Sequence, residues 1–356
     1  MHKILFLDTY YGQVLKKFDT IAYKTDYKSR LKKILEFKFG TADFYSKAFQ
    51  SYGWDAIDVI ANDSIGNRLY MGECCYAYSG DTDTFTRIIL DYKPDVLYCQ
   101  DLSFLPASKF SYLRNNGVKL FASQHSCPYV GDDRVKLFDI VFTSFPHYIE
   151  KIRNLGVNSE FLPIAFGGTP EWPVNVHKCR HFDATFIGGV GSQSNPLHWR
   201  NGNSALSRLC EAFPSRFKWW GYHFGDLSAK MADSYMGEAW GNELYDIYNN
   251  SRIVINRHGE VAEGYSNNMR LFESTGCGAL LFTESSKNID YYFKPNEECI
   301  TYDNTDDLVQ KVQYYLEHAE EAEKIAMAGY ARTMREHLYS KRLRPVADML
   351  LERLYS

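Results

Sequence analysis

The chain has 356 residues, more than one hydrophobic core of ordinary size usually holds, so two domains are expected. Hydrophobic residues make up 45% of the chain and charged residues 24%, which is typical of a soluble globular protein. The formal net charge of −4 argues against a nucleic-acid-binding protein and against a surface broadly attracted to anionic membranes.

Signals of export or membrane insertion are not found in the sequence. No apolar run approaches the roughly 18 residues of a membrane span, and Met1–Asp8 becomes polar too soon for a signal peptide. The eight cysteines are scattered, apart from the adjacent pair Cys74-Cys75, and show no C-x-x-C spacing. We therefore expect reduced cysteines, no metal site and a cytoplasmic protein.

The first half of the chain alternates apolar runs with amphipathic stretches, which predicts a doubly wound parallel sheet. The predicted strands are Lys3–Leu7, Ala56–Ile60, Pro94–Cys99, Val118–Ala122, Phe138–Thr143 and Glu160–Ile164. The predicted helices are Tyr27–Phe39, Ala42–Tyr52 (with Thr41 as its cap), Phe85–Tyr92, Pro106–Asn115 and Pro146–Leu155. Residues 62–78 show no regular pattern.

Three polar residues follow predicted strands of this half. Asp8, Asp101 and His125 lie at strand ends, and the carboxyl ends of parallel strands are where α/β sheets bind ligands. Histidine titrates near neutral pH, which suits His125 to take a proton from a substrate hydroxyl. Asp8 and Asp101 are the competing candidates for a base. The alternative for His125 is a structural imidazole held by hydrogen bonds.

The segment Gly167–Pro173 is rich in glycine and proline and divides the chain. We expect a first domain over residues 1–166, a second over 167–339 and a terminal amphipathic helix within 340–356. The predicted strands of the second domain are Phe182–Ile187, Phe217–Gly221, Ile253–Asn256, Ala279–Phe282 and Cys299–Tyr302. Two later helices are predicted: one begins near Asp306 with Thr305 as its cap, and a second ends near His337. The final helix is predicted over Ser340–Leu354.

The most informative stretch is Asn267–Phe282. Its pattern predicts a short helix that ends at Gly276, followed at once by a buried strand. Arg270 and Glu273 lie three residues apart on this helix and therefore point the same way.

The residues of this predicted helix suit a nucleotide. Asn267, Asn268 and Arg270 would place free backbone N–H groups beside a guanidinium, which favours an anion. One turn further on, Glu273 can accept hydrogen bonds from two hydroxyls, as a ribose offers. The alternative is an exposed ion pair between Arg270 and Glu273, which would stabilise the helix by about 0.2–0.5 kcal/mol.

Arg270-x-x-Glu273, the small-residue turn and the apolar strand together resemble the donor-nucleotide segment of GT-B glycosyltransferases. Within these, the sequence is most similar to the group 1 and CgeB-like branch, and the resemblance is best from about Asp183 to Leu350. One position departs from the pattern, because many relatives carry a glutamate where this chain has Tyr265. The role of that glutamate would fall to Glu260, Glu263 or backbone, or be absent.

The resemblance implies a GT-B architecture of two Rossmann-like domains facing across a cleft, with the C-terminal helix packing back on the first domain. The first domain would bind the acceptor and the second the nucleotide-sugar donor. The glycine turn of Gly188, Gly189 and Gly191 would line the donor phosphates, together with Arg200. Tyr222, His258 and Glu260 lie on neighbouring predicted loops and are further candidates for contacts with the donor.

The implied reaction is transfer of a glycosyl group from a nucleotide-diphosphate sugar to an acceptor hydroxyl. Arginines and glycine-turn amides would neutralise the diphosphate, so no metal or other cofactor is expected. Asp81-Thr82-Asp83 mimics the metal motif of the other glycosyltransferase fold, but we interpret it as a helix start. The acceptor would be a glycan, lipid-linked glycan or protein, as in bacterial surface polysaccharide assembly, with peripheral membrane contact through the acceptor left open.

Two alternatives remain at this stage. One is a sugar-nucleotide epimerase or hydrolase, for which Asp101 and Glu263 could supply the carboxylates. The other is a non-catalytic nucleotide-sugar-binding module. The donor base and sugar, the oligomeric state and the choice between inversion and retention are not determined by the sequence.

Overall fold

A computed structural model describes residues 1–21, 25–126, 133–169, 180–190, 202–223 and 226–355; the side chains of residues 202, 203 and 261 lie outside this description. The chain divides into two compact units. The first unit contains residues 1–163 and 339–356, and the second contains residues 164–338.

The first unit is built on a parallel sheet covered by helices. Its strands are β1 (Lys3–Asp8), β2 (Asp55–Ile60), β3 (Val96–Cys99), β4 (Leu120–Gln124), β5 (Ile140–Thr143) and β6 (Asn158–Phe161). Its first helices are α1 (Gly12–Lys16), α2 (Tyr27–Glu36), α3 (Phe44–Ser51), α4 (Ser64–Glu73), α5 (Asp81–Tyr92), α6 (Ala107–Asn115) and α7 (Ile149–Arg153), with short 3-10 helices at Asp19–Ile21, Asp133–Leu137 and Pro146–Tyr148. The strand order is β2-β1-β3-β4-β5-β6, and all the pairings are parallel.

The predicted parallel sheet is therefore confirmed, but two predicted helix caps in this unit are wrong, and one helix lies where the sequence shows no pattern. Residues 62–78 contain helix α4, whose mixed polar and small residues hide its apolar face in the sequence. Thr41 does not cap α3; Asp43 holds that position, and the Thr41 hydroxyl donates to Asp8 instead. Asp81 and Asp83 lie in the first turn of α5, as expected, but Gly80 occupies the N-cap position.

The second unit repeats the same plan. Its strands are β7 (Phe182–Ile187), β8 (Phe217–Trp220), β9 (Ser251–Asn256), β10 (Leu280–Glu284) and β11 (Ile300–Tyr302). Its helices are α8 (Gly202–Ala212), α9 (Ala229–Ser234), α10 (Asn242–Asn249), α11 (Arg270–Gly276), α12 (Ile289–Tyr292), α13 (Thr305–Glu317) and α14 (Ala319–Glu336), with a 3-10 helix at Glu260–Ala262. The strands are parallel in the order β11-β10-β9-β7-β8.

The core of the second unit lies on both faces of this sheet. One face packs against α8, α13 and the start of α14 through residues such as Leu209, Val312 and Ile325. The other face packs against α10, α11 and α12 through Tyr248, Phe272 and others. The central strands are buried on both sides, which explains why they read as continuous apolar runs. Helix α13 is capped by Asn304 rather than by the predicted Thr305, because the Asn304 side chain accepts from the backbone N–H of Asp307.

The end of the chain belongs to the first unit and forms two helices, α15 (Tyr339–Arg342) and α16 (Arg344–Tyr355), where a single helix was predicted. The ring of Tyr339 lies 5.1 Å from that of Tyr45 on α3, and Tyr52 donates its hydroxyl proton to the Ser340 carbonyl at 2.6 Å. The C-terminal segment therefore packs on the first unit. In the described residues, no helix combines the length and apolar character that a bilayer crossing requires.

Candidate functional site

In the second unit the order in which the chain adds strands reverses at β7, because β8 lies on one side of β7 and β9 on the other. A switch point of the sheet therefore lies between β7 and β9. Ligands of open α/β sheets bind beyond the carboxyl ends of the strands at such a switch point. Gly188 and Gly189 follow β7 directly, and Arg257 and His258 follow β9. These four residues, three of which are predicted site residues, therefore lie at the carboxyl ends of two neighbouring strands.

The Arg270 side chain lies next to the glycine turn that follows β7. A Cβ atom added to Gly188 would lie 2.7 Å from Nη2 of Arg270 and 2.9 Å from the Phe186 ring. The guanidinium lies over that ring, 5.1 Å from its centroid, and Nη1 donates to Oδ1 of Asn256 at 3.0 Å. Only glycine at position 188 leaves room for this placement, so the turn and the guanidinium form one surface.

We predict that Gly188→Ala displaces the Arg270 guanidinium, because the new methyl group would overlap it. Nucleoside diphosphate affinity should fall about tenfold, the size expected from losing part of one charge-assisted contact. Isothermal titration calorimetry measures this. Gly72→Ala, at a helical glycine whose added Cβ would meet nothing within 4 Å, is the matched control and should bind as the parent does.

Glu273 lies one helical turn beyond Arg270 and is only 8% exposed. Burial raises the pKa of its carboxyl from 4.5 to about 7, against the opposing effect of the Arg270 charge. No ion pair joins these two side chains within the described structure, so the alternative of an exposed surface pair is wrong. A carboxylate buried without a salt bridge is destabilising by itself, which is expected of a group kept for binding.

This burial predicts a pH-dependent gain in stability for Glu273→Gln. Because the folded-state pKa is raised, the folded protein keeps a proton that the unfolded chain loses, so stability falls as pH rises from about 4.5 to about 7. Glutamine removes that loss and should increase the free energy of unfolding by about 2–3 kcal/mol at about pH 8. Denaturant titrations at about pH 8 and pH 4 measure the effect. An equal gain at both pH values would contradict the assignment.

Helix α11 begins at Arg270, with Met269 at the N-cap position, and not at Asn267 as predicted. Asn267 and Asn268 therefore precede the helix, and their side chains act differently. Nδ2 of Asn268 donates to Oδ1 of Asn256 and to the Arg257 carbonyl, both at 2.8 Å. Oδ1 of Asn267 is buried without a hydrogen-bond partner among the described residues. An anion beside Arg270 would therefore meet the guanidinium and the glycine turn more than the end of this seven-residue helix.

His258 is held in a buried polar cluster. Its Nε2 lies 3.0 Å from Oγ1 of Thr283 and 3.2 Å from Oγ of Ser266. Its backbone N–H donates to the Glu284 carboxylate at 2.6 Å. Burial, with the charges of Arg270 and Arg257, lowers the pKa of His258 to about 3. The imidazole is therefore neutral at physiological pH.

The remaining donor candidates lie on neighbouring loops. Tyr222 covers Gly189, where an added Cβ would lie 2.5 Å from its ring, and it stacks on Trp240 with centroids 6.1 Å apart. Glu260 is exposed, in the short 3-10 helix after β9. The predicted site residues Gly191 and Arg200 lie outside the residues that the structure describes.

The three base candidates lie at the ends of neighbouring strands of the first unit: Asp8 on β1, Asp101 after β3 and His125 after β4. Thr9 links the two aspartates, since its backbone N–H donates to Asp8 at 2.8 Å and its hydroxyl donates to Asp101 at 2.9 Å. Burial raises the pKa of Asp8 to about 6. His125 is half-buried, and its backbone N–H donates to the Phe142 carbonyl at 2.8 Å.

Two residues near Arg270 were missed by the sequence analysis. Asn256 is the last residue of β9 and holds Arg270 directly; its polar side chain after an apolar run was a usable signal. Tyr248 on α10 is fully buried, and burial raises its pKa; the nearby Arg270 charge lowers this pKa and the Glu273 charge raises it, both to a smaller extent. No sequence pattern distinguishes Tyr248 from an ordinary core tyrosine.

Comparison with known proteins bears on the fold and on the class of protein. Residues 200–348 match the family model described as glycosyl transferase-like. Three solved structures share the fold along nearly their whole length: a glycosyltransferase from Rickettsia africae (TM-score 0.57, 12% identity, 99% of this chain and 98% of that one), HepE from Anabaena in complex with UDP-glucose (0.59, 11%, 99% and 100%) and sucrose-phosphate synthase from Thermosynechococcus elongatus (0.58, 11%, 100% and 98%). No curated protein matches the sequence.

The α/β architecture with two parallel sheets is that of the GT-B glycosyltransferases, which confirms the predicted fold. The family match over residues 200–348 lies mainly in the second unit and points to the same class of protein. The CgeB-like branch stays a prediction.

Proposed function

We propose that the second unit binds a nucleotide-sugar donor at the β7/β9 switch point and that the enzyme transfers its sugar to an acceptor hydroxyl. The observation that carries this proposal is the placement of Arg270 against Gly188 with the buried Glu273 one turn further on. A guanidinium beside a glycine turn and a carboxylate one helical turn further on match the two ends of a ribose diphosphate.

In this proposal the leaving diphosphate is stabilised by fixed charges. Arg270 meets the phosphates, and the backbone N–H of Gly189 adds a donor, since that of Gly188 already donates to the Trp220 carbonyl at 2.9 Å. Arg200 is a further contributor proposed from the family resemblance. Such preorganised donors stabilise negative charge as it develops on the leaving group. We propose that no metal ion is needed.

Glu273 fixes the ribose in this proposal. The ionised carboxylate accepts from two hydroxyls, one at each oxygen, and hydrogen bonds to the charged form lower its pKa when the ribose binds. The raised pKa of about 7 in the free protein therefore means that nucleotide binding is linked to release of a proton near neutral pH.

The acceptor hydroxyl loses its proton in the transfer, and we propose that a side-chain base takes this proton if the anomeric configuration inverts. His125, Asp101 and Asp8 remain the candidates. Asp8 has the advantage of a pKa raised to about 6, nearer to the working pH than an ordinary aspartate. The residue whose substitution abolishes transfer and leaves donor affinity unchanged is the base.

The donor that we test first is a UDP-sugar. HepE from Anabaena has been solved with UDP-glucose and with UDP, and MnaA from S. aureus with UDP, and all three share this fold at 10–11% identity. We propose a glycan, lipid-linked glycan or protein as acceptor. The transfer would serve cytoplasmic assembly of a bacterial surface polysaccharide or glycoconjugate. A lipid-linked acceptor would bring the enzyme into contact with the membrane.

A thermal-shift screen of UDP-, GDP-, dTDP- and CMP-sugars tests the donor half of the proposal. At least one class should raise the melting temperature by several degrees, since a ligand at 100 times its Kd stabilises by about 2.7 kcal/mol. Product analysis of the responding sugar, with and without a glycan acceptor, then separates transfer from hydrolysis or epimerisation. If no nucleotide sugar shifts the melting temperature, the proposed function is wrong.

A further inference from the structure

The side chain of Asn256 holds the Arg270 guanidinium from below. Nη1 of Arg270 donates to Oδ1 of Asn256 at 3.0 Å, and Nδ2 of Asn268 donates to the same oxygen at 2.8 Å. On its other side, Nδ2 of Asn256 donates to Oγ1 of Thr283 at 3.0 Å. Asn256 is fully buried at the carboxyl end of β9, and both polar atoms of its amide have partners.

The orientation of this amide is fixed by the two donors that meet it. A guanidinium only donates, so the atom of Asn256 that faces Arg270 is the oxygen. Asn268 requires the same orientation. Its amide nitrogen also donates to the Arg257 carbonyl, which only accepts, and its Oδ1 accepts from the backbone N–H of Leu271 at 3.4 Å. Two donors therefore converge on one neutral oxygen.

The charge of Arg270 is not balanced by a carboxylate. Arg270 is half-buried, and among the described residues it forms no ion pair. Its other contact is with the ring of Phe186, and Glu273 one turn further on does not pair with it. A carboxylate is the usual partner of a buried guanidinium, and an aspartate would have the same shape as Asn256. The amide supplies the hydrogen bond without the opposing charge.

We propose that Asn256 is a positioning residue that has to be neutral: it fixes the Arg270 guanidinium beside the glycine turn and leaves its whole charge for the donor diphosphate. This role rests on the proposed function, because it is the diphosphate that Arg270 meets. Asn256 acts through Arg270 and does not touch the donor.

Carbon-13 NMR of the carboxyl groups in the ligand-free protein tests whether the charge is unbalanced. The Arg270 charge opposes the rise in the pKa of Glu273 that burial causes. Asn256→Asp, which balances that charge, and Arg270→Gln, which removes it, should each move the Glu273 titration midpoint up from about 7 by about one pH unit. Tyr248, the other titratable group near Glu273, stays neutral in this range because burial raises its pKa.

The Glu273 signal is assigned with Glu273→Gln, and the titration does not depend on any nucleotide. An unchanged midpoint in both variants would overturn the proposal, since it would mean that the Arg270 charge is already balanced. Arg270→Gln leaves Asn256 as it is, so this part of the test stands even if Asn256→Asp does not fold.

Two substitutions of Asn256 separate its hydrogen bond from its neutrality. Asn256→Asp keeps the shape and the acceptor oxygen but balances the charge, so UDP affinity should fall about 10–100-fold with uridine affinity unchanged. Asn256→Ala removes the acceptor and leaves the charge, so UDP affinity should fall about tenfold and the Glu273 midpoint should not rise. Isothermal titration calorimetry measures both, with GDP and guanosine run in parallel.

Asn296→Asp is the matched control. It adds the same charge to the same unit, at an exposed residue of the turn that precedes β11 and therefore at the amino end of that strand. It should change neither UDP affinity nor the Glu273 midpoint. If Asn256→Asp binds UDP as the parent does, or weakens uridine equally, the positioning role is refuted. A parent protein that binds neither UDP nor GDP, nor any other diphosphate in the screen, refutes the proposed function and this role with it, while the carboxyl titration still decides whether the Arg270 charge is balanced.

Discussion

Replacing Glu273 by glutamine is expected to weaken nucleoside diphosphate binding about a hundredfold while leaving the fold intact. The carboxylate would accept two charge-assisted hydrogen bonds from the ribose, each worth about 1.5–3 kcal/mol, and glutamine keeps at most one, neutral acceptor. Because Glu273 is buried without a salt bridge, its loss removes no structural partner. Isothermal titration calorimetry with UDP, or with whichever diphosphate responds in the screen, measures the change.

A deoxynucleotide provides the control for this prediction. The parent should discriminate against 2′-deoxy-UDP by about tenfold, and Glu273→Gln should bind both nucleotides about equally, since the lost contact is to the ribose. Unchanged discrimination in the variant would mean that Glu273 does not meet the ribose, even if the affinity itself falls.

Substitution of Arg270 is expected to weaken UDP binding by a similar factor, but through the phosphates and not through the ribose. Arg270→Gln removes the charge and the planar fork that suits a diphosphate, and UDP affinity should fall about 10²–10³-fold. Arg270→Lys keeps the charge but neither the fork nor the ring contact with Phe186, and should recover only a part of the affinity. Uridine, which lacks phosphates, should bind all three proteins alike.

The matched control is Arg252→Lys, at the opposite end of the strand that leads to the site. Arg252 pairs with Asp183 at 2.9 Å near the amino end of β9 and does not approach the switch point. It should leave UDP affinity unchanged. An equal loss of uridine and UDP binding in Arg270→Gln would show that the guanidinium supports the fold and not the phosphates.

The elements that hold the site were largely predictable from the sequence, because continuous apolar runs identify strands buried on both faces. Lys3–Asp8 and Phe182–Ile187 were found almost to the residue. The placement of Arg270 and Glu273 on one face of the same helix was also predictable from their spacing. Their burial was not, since the sequence alone favours neither an exposed nor a covered face for two charged residues.

The contacts that orient Arg270 depend on information that no local pattern contains. Asn256 reaches Thr283 because β9 and β10 pair in a register that places these two residues side by side, 27 positions apart in the chain. The start of α11 was wrongly predicted for a related reason. Asn268 was predicted to lie in the helix N-terminus but precedes the helix: its Oδ1 accepts from the Leu271 backbone N–H at 3.4 Å, and its amide nitrogen donates to Asn256 and Arg257. Tertiary hydrogen bonds thus determine the start of α11, which local propensity did not predict.

A crystal structure of the protein with UDP, or with the diphosphate that responds in the screen, tests the central claim most directly. We expect the Glu273 carboxylate within about 3 Å of two ribose hydroxyls and the Arg270 guanidinium on the diphosphate beside Gly188. A nucleotide bound elsewhere, or one bound here with Glu273 turned away from the ribose, would contradict the account.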